Sequence, residues 1–190
     1  MKSKMIKRTI IFCLFLGGAI FMCFIYIAFP PTKVDRNIAH YEEYLSKNLG
    51  KYEYTKIGIN EEMFPASINS DMQVEDYVVA WHKPRFLDGA RWLMCLEVKY
   101  DKETYEEEIE RLKSNFSVDD ITSYGVTGFK APYTVVALEA IQKNGLIYAL
   151  TDGKETIIYV EMISYDGSVY GNLFYSLRIP SQYLPVGYSQ

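Results

Sequence analysis

Residues 9–29 contain no charged side chain and are dominated by Ile, Phe, Leu, Met and Cys. A helix rises 1.5 Å per residue, so this run would span about 31 Å, which matches the ~30 Å hydrocarbon core of a bilayer. Pro30 and Pro31 follow at once and end any helix, because proline cannot donate the next backbone bond. Tyr26 lies near the far boundary, where an apolar ring with a polar tip is well placed. A cleaved signal peptide would have a shorter apolar core and a small-x-small site. Here Ala28 has no small partner at position 26, and Phe21-Met22 precedes Cys23 where a lipidated cysteine needs a small residue. The run is therefore read as an uncleaved transmembrane anchor.

Lys2, Lys4, Lys7 and Arg8 precede the run, whereas Lys33 and Arg36 alone follow closely. The positive-inside rule then puts the N-terminus in the cytosol and the remainder outside, at the cell membrane. The expected organisation is a basic tail over 1–8, an anchor over 9–29, a linker over 30–37 and an extracytoplasmic domain over 38–190. Cys13/Gly17 and Ala19/Cys23 are small-residue spacings of the kind that let membrane helices pack, but so loose a pattern says little about oligomeric state.

Charge narrows the partners. Of 20 basic and 24 acidic residues, four basic ones and no acid precede the run, so 16 basic and 24 acidic residues remain beyond it. Such an acidic domain repels nucleic-acid phosphates and anionic lipid headgroups. Cys95 is the one cysteine outside the apolar run, which excludes a disulfide within the domain. Its neighbours Trp92, Leu93, Met94 and Leu96 predict a buried thiol.

Hydrophobic spacing gives the elements. Ile38, Tyr41, Leu45 and Leu49 recur at helical intervals and predict a first helix over 34–49, stopped at Gly50. Residues 51–59 alternate as a strand would, and 60–73 reads as a loop. Four turn dipeptides lie between β-prone runs: Asp88-Gly89, Asn144-Gly145, Asp152-Gly153 and Asp166-Gly167. Each can supply the positive backbone angles of a tight hairpin. They predict a hairpin of strands 74–87 and 90–100, then a meander over 133–142, 146–151, 155–164 and 168–179. Tyr77, Val79 and Trp81 share one strand face, as do Trp92, Met94, Leu96, Val98 and Tyr100. Pro84 should break the first of these strands or place it at an edge. Between hairpin and meander, 101–115 reads as a helix with Tyr105, Ile109 and Leu112 inward and Asp101 or Thr104 as cap. Its acids Glu106, Glu107, Glu108 and Glu110 fall early and Arg111 and Lys113 late, the order the helix dipole favours, so the run reads as a solvated face. The fold class is α+β, a mainly antiparallel sheet with two helices packed on it, and a tail after residue 179 that packs as an extended segment.

Chemistry is sparse. Gly167-Ser168-Val169-Tyr170-Gly171 lacks the G-x-S-x-G spacing of a nucleophile elbow. There is no phosphate-binding glycine loop, and Asp119-Asp120 stand outside any EF-hand register. His40, among Tyr and Glu on the first helix, reads as a surface residue; with one domain cysteine and two distant histidines, no metal grouping is expected. His82 could pair with Cys95 across the first hairpin, but nothing nearby lowers the thiol pKa. No catalytic, cofactor-binding or metal-binding residue is therefore assigned. Of the 17 tyrosines, 16 lie beyond the apolar run. They suit half-buried strands first and a partner surface second.

The expectation is a membrane-anchored interaction or sensing module, with a protein partner and no cofactor. Two alternatives stand: an envelope hydrolase using His82 or a carboxylate, and an accessory or immunity-type membrane protein.

Overall fold

A computed structural model of the chain describes residues 12, 14–23, 32–45, 62–82, 91–118, 126–141, 145–164 and 174–186. The domain is α+β, built on a six-stranded antiparallel sheet. Its strands are β1 (Lys33–Asp35), β2 (Met72–His82), β3 (Arg91–Tyr100), β4 (Thr134–Ile141), β5 (Gly145–Thr151) and β6 (Thr156–Ser164), in spatial order β1-β2-β3-β6-β5-β4. A 3-10 helix covers Ile38–Tyr44, and the α-helix Lys102–Asn115, here α1, connects β3 to β4.

The hairpin β2–β3 and the meander β4–β5–β6 follow the expected strands closely. They join where β3 lies beside β6, from Arg91 opposite Ser164 to Lys99 opposite Thr156. After β3 the chain passes through α1 to the outer strand β4, then works back inward through β5 to β6. At Asp152-Gly153 the loop is four residues long instead of a tight pair. Gly153 takes φ 75° as expected, but the second positive φ, 70°, falls on Glu155. The Asp152 carboxylate caps the loop by accepting from the Lys154 N–H at 2.8 Å. The dipeptides at 88–89 and 166–167, and the strand expected over 51–59, lie outside the described residues.

Strand alternation puts a core on each side of the sheet. One face carries Tyr77, Val79, Trp92, Met94, Leu96, Val98, Tyr100, Ile157 and Tyr159, and is covered by the 3-10 helix, by Met63 and Phe64, and by α1. The other carries Val78, Ala80, Leu93, Cys95, Tyr148, Leu150, Val160 and Met162, and is covered by Val126 and by the segment 174–186.

Three local expectations need correction. The first helix is short and of 3-10 type, preceded by a strand. Val34 pairs opposite Ala80, which draws 33–35 into the sheet. The Asn37 side chain then caps the turn through the Ala39 N–H, and Ile38, Tyr41 and Tyr44 recur every three residues, the 3-10 period. Of the last strand, expected over 168–179, residues 168–173 lie outside the described residues, and 174–176 are helical, with Arg178 and Ile179 both donating to the Tyr175 carbonyl. The tail beyond it is a string of turns instead of an extended segment, since the Tyr183 N–H closes onto the Pro180 carbonyl at 2.9 Å. The turns bury Tyr183 and Leu184 against the sheet.

Within the apolar run, residues 12 and 14–23 are helical and every one is exposed. No helix among the described residues is long and apolar enough to cross a membrane.

Helix α1 begins where the sequence predicts. Asp101 accepts from the Glu103 and Thr104 N–H groups, both at 3.0 Å, and from the Thr104 hydroxyl at 2.7 Å. These bonds hold its carboxyl below the ordinary aspartate range. Removing an N-cap side chain leaves helix N–H groups without their acceptor. Asp101→Ala is expected to lower the urea midpoint of the full chain by about 0.5 M with an unchanged slope, and Asp101→Asn to recover most of the loss.

Candidate functional site

Polar side chains gather at three places on the face that carries the helices. The first bolts α1 to the sheet. Tyr105, Glu108, Ile109 and Leu112 follow one stripe of the helix, so Glu108 points inward. Its Oε2 accepts from Arg111 Nε at 2.6 Å, and its Oε1 accepts from Arg111 Nη2 at 2.7 Å and from the Tyr159 hydroxyl at 2.6 Å. The Tyr159 hydroxyl also lies 2.8 Å from that of Tyr100. Arg111 donates further to the carbonyls of Glu62 and Met63, tying down the loop before β2. The expected solvated acidic face therefore holds for Glu106, Glu107 and Glu110 but not for Glu108, whose side chain is 14% exposed.

The second is a cluster around Asp35 at the start of the domain. Asp35 Oδ2 lies 2.8 Å from His40 Nδ1 and accepts from the Tyr44 hydroxyl at 2.8 Å, while Oδ1 accepts from the Asn37 N–H at 2.9 Å. Burial pushes the Asp35 carboxyl upward, but these hydrogen bonds outweigh it and leave the group below its ordinary range. The same bond to Asp35 favours protonated His40 and raises its pKa against slight desolvation, helped by the charges of Asp35 and Glu43. His40 Nε2 sits 3.3 Å from Asn37 Nδ2. An amide nitrogen has no acceptor, so this contact is a hydrogen bond only when Nε2 is the lone-pair nitrogen and Nδ1 carries the proton toward Asp35. The cluster orients a histidine, as an Asp–His pair does in a catalytic triad, but the group at its far nitrogen is an amide, which is no nucleophile.

The third is Glu161, which the residue patterns did not single out. It lies in the middle of β6, opposite Met94 on β3 and Ile147 on β5, and is wholly buried. Trp92 Nε1 donates to its Oε2 at 3.1 Å, and among the described residues its Oε1 has no hydrogen-bond partner. Burial, only partly offset by the Trp92 bond, raises the carboxyl to about 8. Beside it Tyr44, Trp81 and Trp92 pack ring to ring, with centroids 5.8–6.4 Å apart. The signal was present in the sequence: Ile157, Tyr159, Glu161 and Ile163 alternate on one strand face, and a lone acid in such a row is out of place.

The residues weighed for catalysis do not come together. Cys95 stands opposite Val78, and His82 opposite Arg91, four positions farther along the same hairpin. At about 3.4 Å per residue the two positions are separated by about 14 Å along the strands, on a shared face. The thiol is buried, and desolvation together with the charges of Asp76 and Glu97 pushes its pKa well up. Two carboxylates do meet, because Asp76 is opposite Glu97. Asp76 is engaged by Arg36 at 3.2 Å and Glu97 accepts from the Tyr183 hydroxyl at 2.8 Å. Among the described residues no three His, Cys, Asp or Glu side chains are placed to share a metal ion. Nor is any described tyrosine fully exposed: eight are buried, and Tyr105 and Tyr133 are half-buried. A groove of about 480 Å³ runs between residues 113–118, at the end of α1, and Val135 and Val136 of β4.

Two outcomes check this geometry. The proton on His40 should be held above the ordinary histidine midpoint, so any stability it confers is present below pH 6.5 and lost as pH rises through the folded midpoint. Two-dimensional NMR of the two histidines should show this raised midpoint for His40, and Asp35→Asn should return it toward 6.5. Iodoacetamide followed by peptide mapping should leave Cys95 unmodified in the native chain and alkylate it fully once denaturant is added.

No family model, no curated protein and no solved structure matches the chain.

Proposed function

We propose that the chain is a single-pass membrane protein whose acidic α+β domain stands outside the cytosol and works as a binding or sensing module. The observation that carries this reading is the state of the apolar run. Phe12, Leu14, Phe15, Leu16, Ile20, Phe21 and Met22 are 50–80% exposed on the helical part. A row of apolar side chains left this exposed among the described residues needs lipid, or another apolar surface, to cover it. The run is the right length for a bilayer, and four basic residues stand in front of it. On the domain, β4 has no strand on its outer side among the described residues. An open strand edge beside a groove is the kind of surface that accepts an extended segment of another protein.

The full-length chain, expressed in a bacterial host, should stay in the membrane pellet through a carbonate wash at high pH. Protease added outside spheroplasts should digest its domain. The double substitution Phe15→Lys and Ile20→Lys should move it to the soluble fraction. Wild-type protein in the carbonate supernatant, or a domain protected from outside protease, would overturn the reading.

A further inference from the structure

Glu161 occupies a position where an apolar residue would serve packing better. A carboxyl fully removed from water avoids a large penalty only by staying protonated or by gaining a counter-charge. Among the described residues, the elements around it place no counter-charge against it. On its own strand it is flanked by Tyr159 and Ile163, and on the neighbouring strands by Met94 and Ile147. The charged groups of α1 on this face, Glu108 and Arg111, pair with each other and with Tyr159. From the 3-10 helix side, Asp35 and His40 pair with each other, and Tyr44 donates to Asp35. Tyr41, Tyr77 and Tyr100 also lie on this face, and burial raises all three phenols, leaving them neutral. Tyr105 is engaged with the Thr151 hydroxyl, and the Lys33 ammonium of β1 sits over the Trp81 ring, 5.7 Å from its centroid. Among the described residues, the one polar contact Glu161 receives is the indole N–H of Trp92, and its second oxygen faces no donor.

We propose that Glu161 is a proton-operated latch: protonated, it lets the helical face close over the sheet, and loss of its proton opens that face and exposes the Trp92 indole to water. This deepens the sensing part of the proposed function by naming the proton as the ligand sensed. It needs no membrane, so its failure and that of the membrane reading are separable. Ionisation would leave a carboxylate in an apolar layer with a single hydrogen bond, and opening the face supplies water. The closed-state carboxyl titrates near 8, against an ordinary glutamate value of 4.5. The closed form thus binds more protons than the open one throughout that window, and closure weakens as pH rises across it. From pH 6 to pH 8 the opening constant should grow on the order of 50-fold, and then level off above pH 8.

The test uses the full chain in detergent micelles. Cleavage by a dilute protease is followed from pH 5.5 to 9.5 and normalised at each pH to the urea-unfolded chain, so that the ratio reports opening. The ratio should rise on the order of 50-fold between pH 6 and 8 in the wild type. In Glu161→Gln, which keeps the shape and cannot ionise, it should rise far less. The two tryptophans give a second readout that needs no variant: opening shifts their emission to the red over the same interval. Carboxyl-carbon NMR of the wild type should show one glutamate titrating near pH 8. A pH response of equal size in Glu161→Gln, or tryptophan emission that keeps its wavelength while that carboxyl titrates, would overturn the latch. Should Glu161→Gln fail to fold, the emission and carboxyl titrations of the wild type decide alone.

Discussion

The ladder between β3 and β6 is the joint on which the domain depends. On one side lies the hairpin β2–β3, and on the other the meander β4–β5–β6, each pairing strands that are consecutive in the chain. Their union runs from Arg91 opposite Ser164 to Lys99 opposite Thr156, between segments more than fifty residues apart in the chain. Such pairing sets both faces at once, because a slip of one residue would exchange every side chain between the two cores. It places Trp92 diagonally from Glu161, and it sets Tyr100 against Tyr159 at the other end. The helix α1, which links the two halves, then lies over the sheet it has helped to close.

Burial on both faces gives the sheet its character. A sheet with one wet face would alternate apolar and polar residues along each strand. Here β3 is buried at Arg91 through Leu96 without a break, since the helices cover one face and residues 174–186 the other. That accounts for how the tyrosines are used. Tyr41, Tyr148, Tyr159 and Tyr183 bury their rings and send each hydroxyl to a carbonyl or carboxylate. A phenol spans an apolar layer and still ends on a polar partner, which fits a domain whose loops must be fastened from within.

Local signals were legible and the long-range ones were not. The strands β2, β3, β5 and β6 and the helix α1 could be read from alternation, helical spacing and the Asp101 cap, because those patterns are written in neighbouring residues. The 3-10 helix differs from the expected α-helix because Ile38, Tyr41 and Leu45 fit an α-helix as readily as Ile38, Tyr41 and Tyr44 fit a three-residue period. What decided between them was the pairing of Val34 with Ala80, a partner 46 positions away. The second core escaped for the same reason, as nothing local shows that Ile179, Tyr183 and Leu184 return to cover Leu93 and Cys95. For the candidate site, the burial of Cys95 was legible from its neighbours, whereas the partnership of His40 with Asp35 required the chain to turn at Asn37. Glu108 and Glu161 could have been noticed as acids on otherwise apolar stripes, but spacing alone does not say which of them finds a cation.

Glu108 and Glu161 are the same residue type, and both point into the helical face of one sheet. Glu108 meets a guanidinium that engages both its oxygens, and a phenol besides, at the rim where water still screens the pair. A bidentate, charge-assisted contact of this kind offsets much of the desolvation cost of the carboxylate. Glu161 meets one indole N–H in a layer closed to water, and a single neutral donor is too weak to hold a charge there. The first acid therefore fastens the fold and the second leaves it poised: the fold keeps Glu161 neutral by burial alone, so whatever lifts the cover from that face also changes its proton affinity, and the reverse holds by linkage.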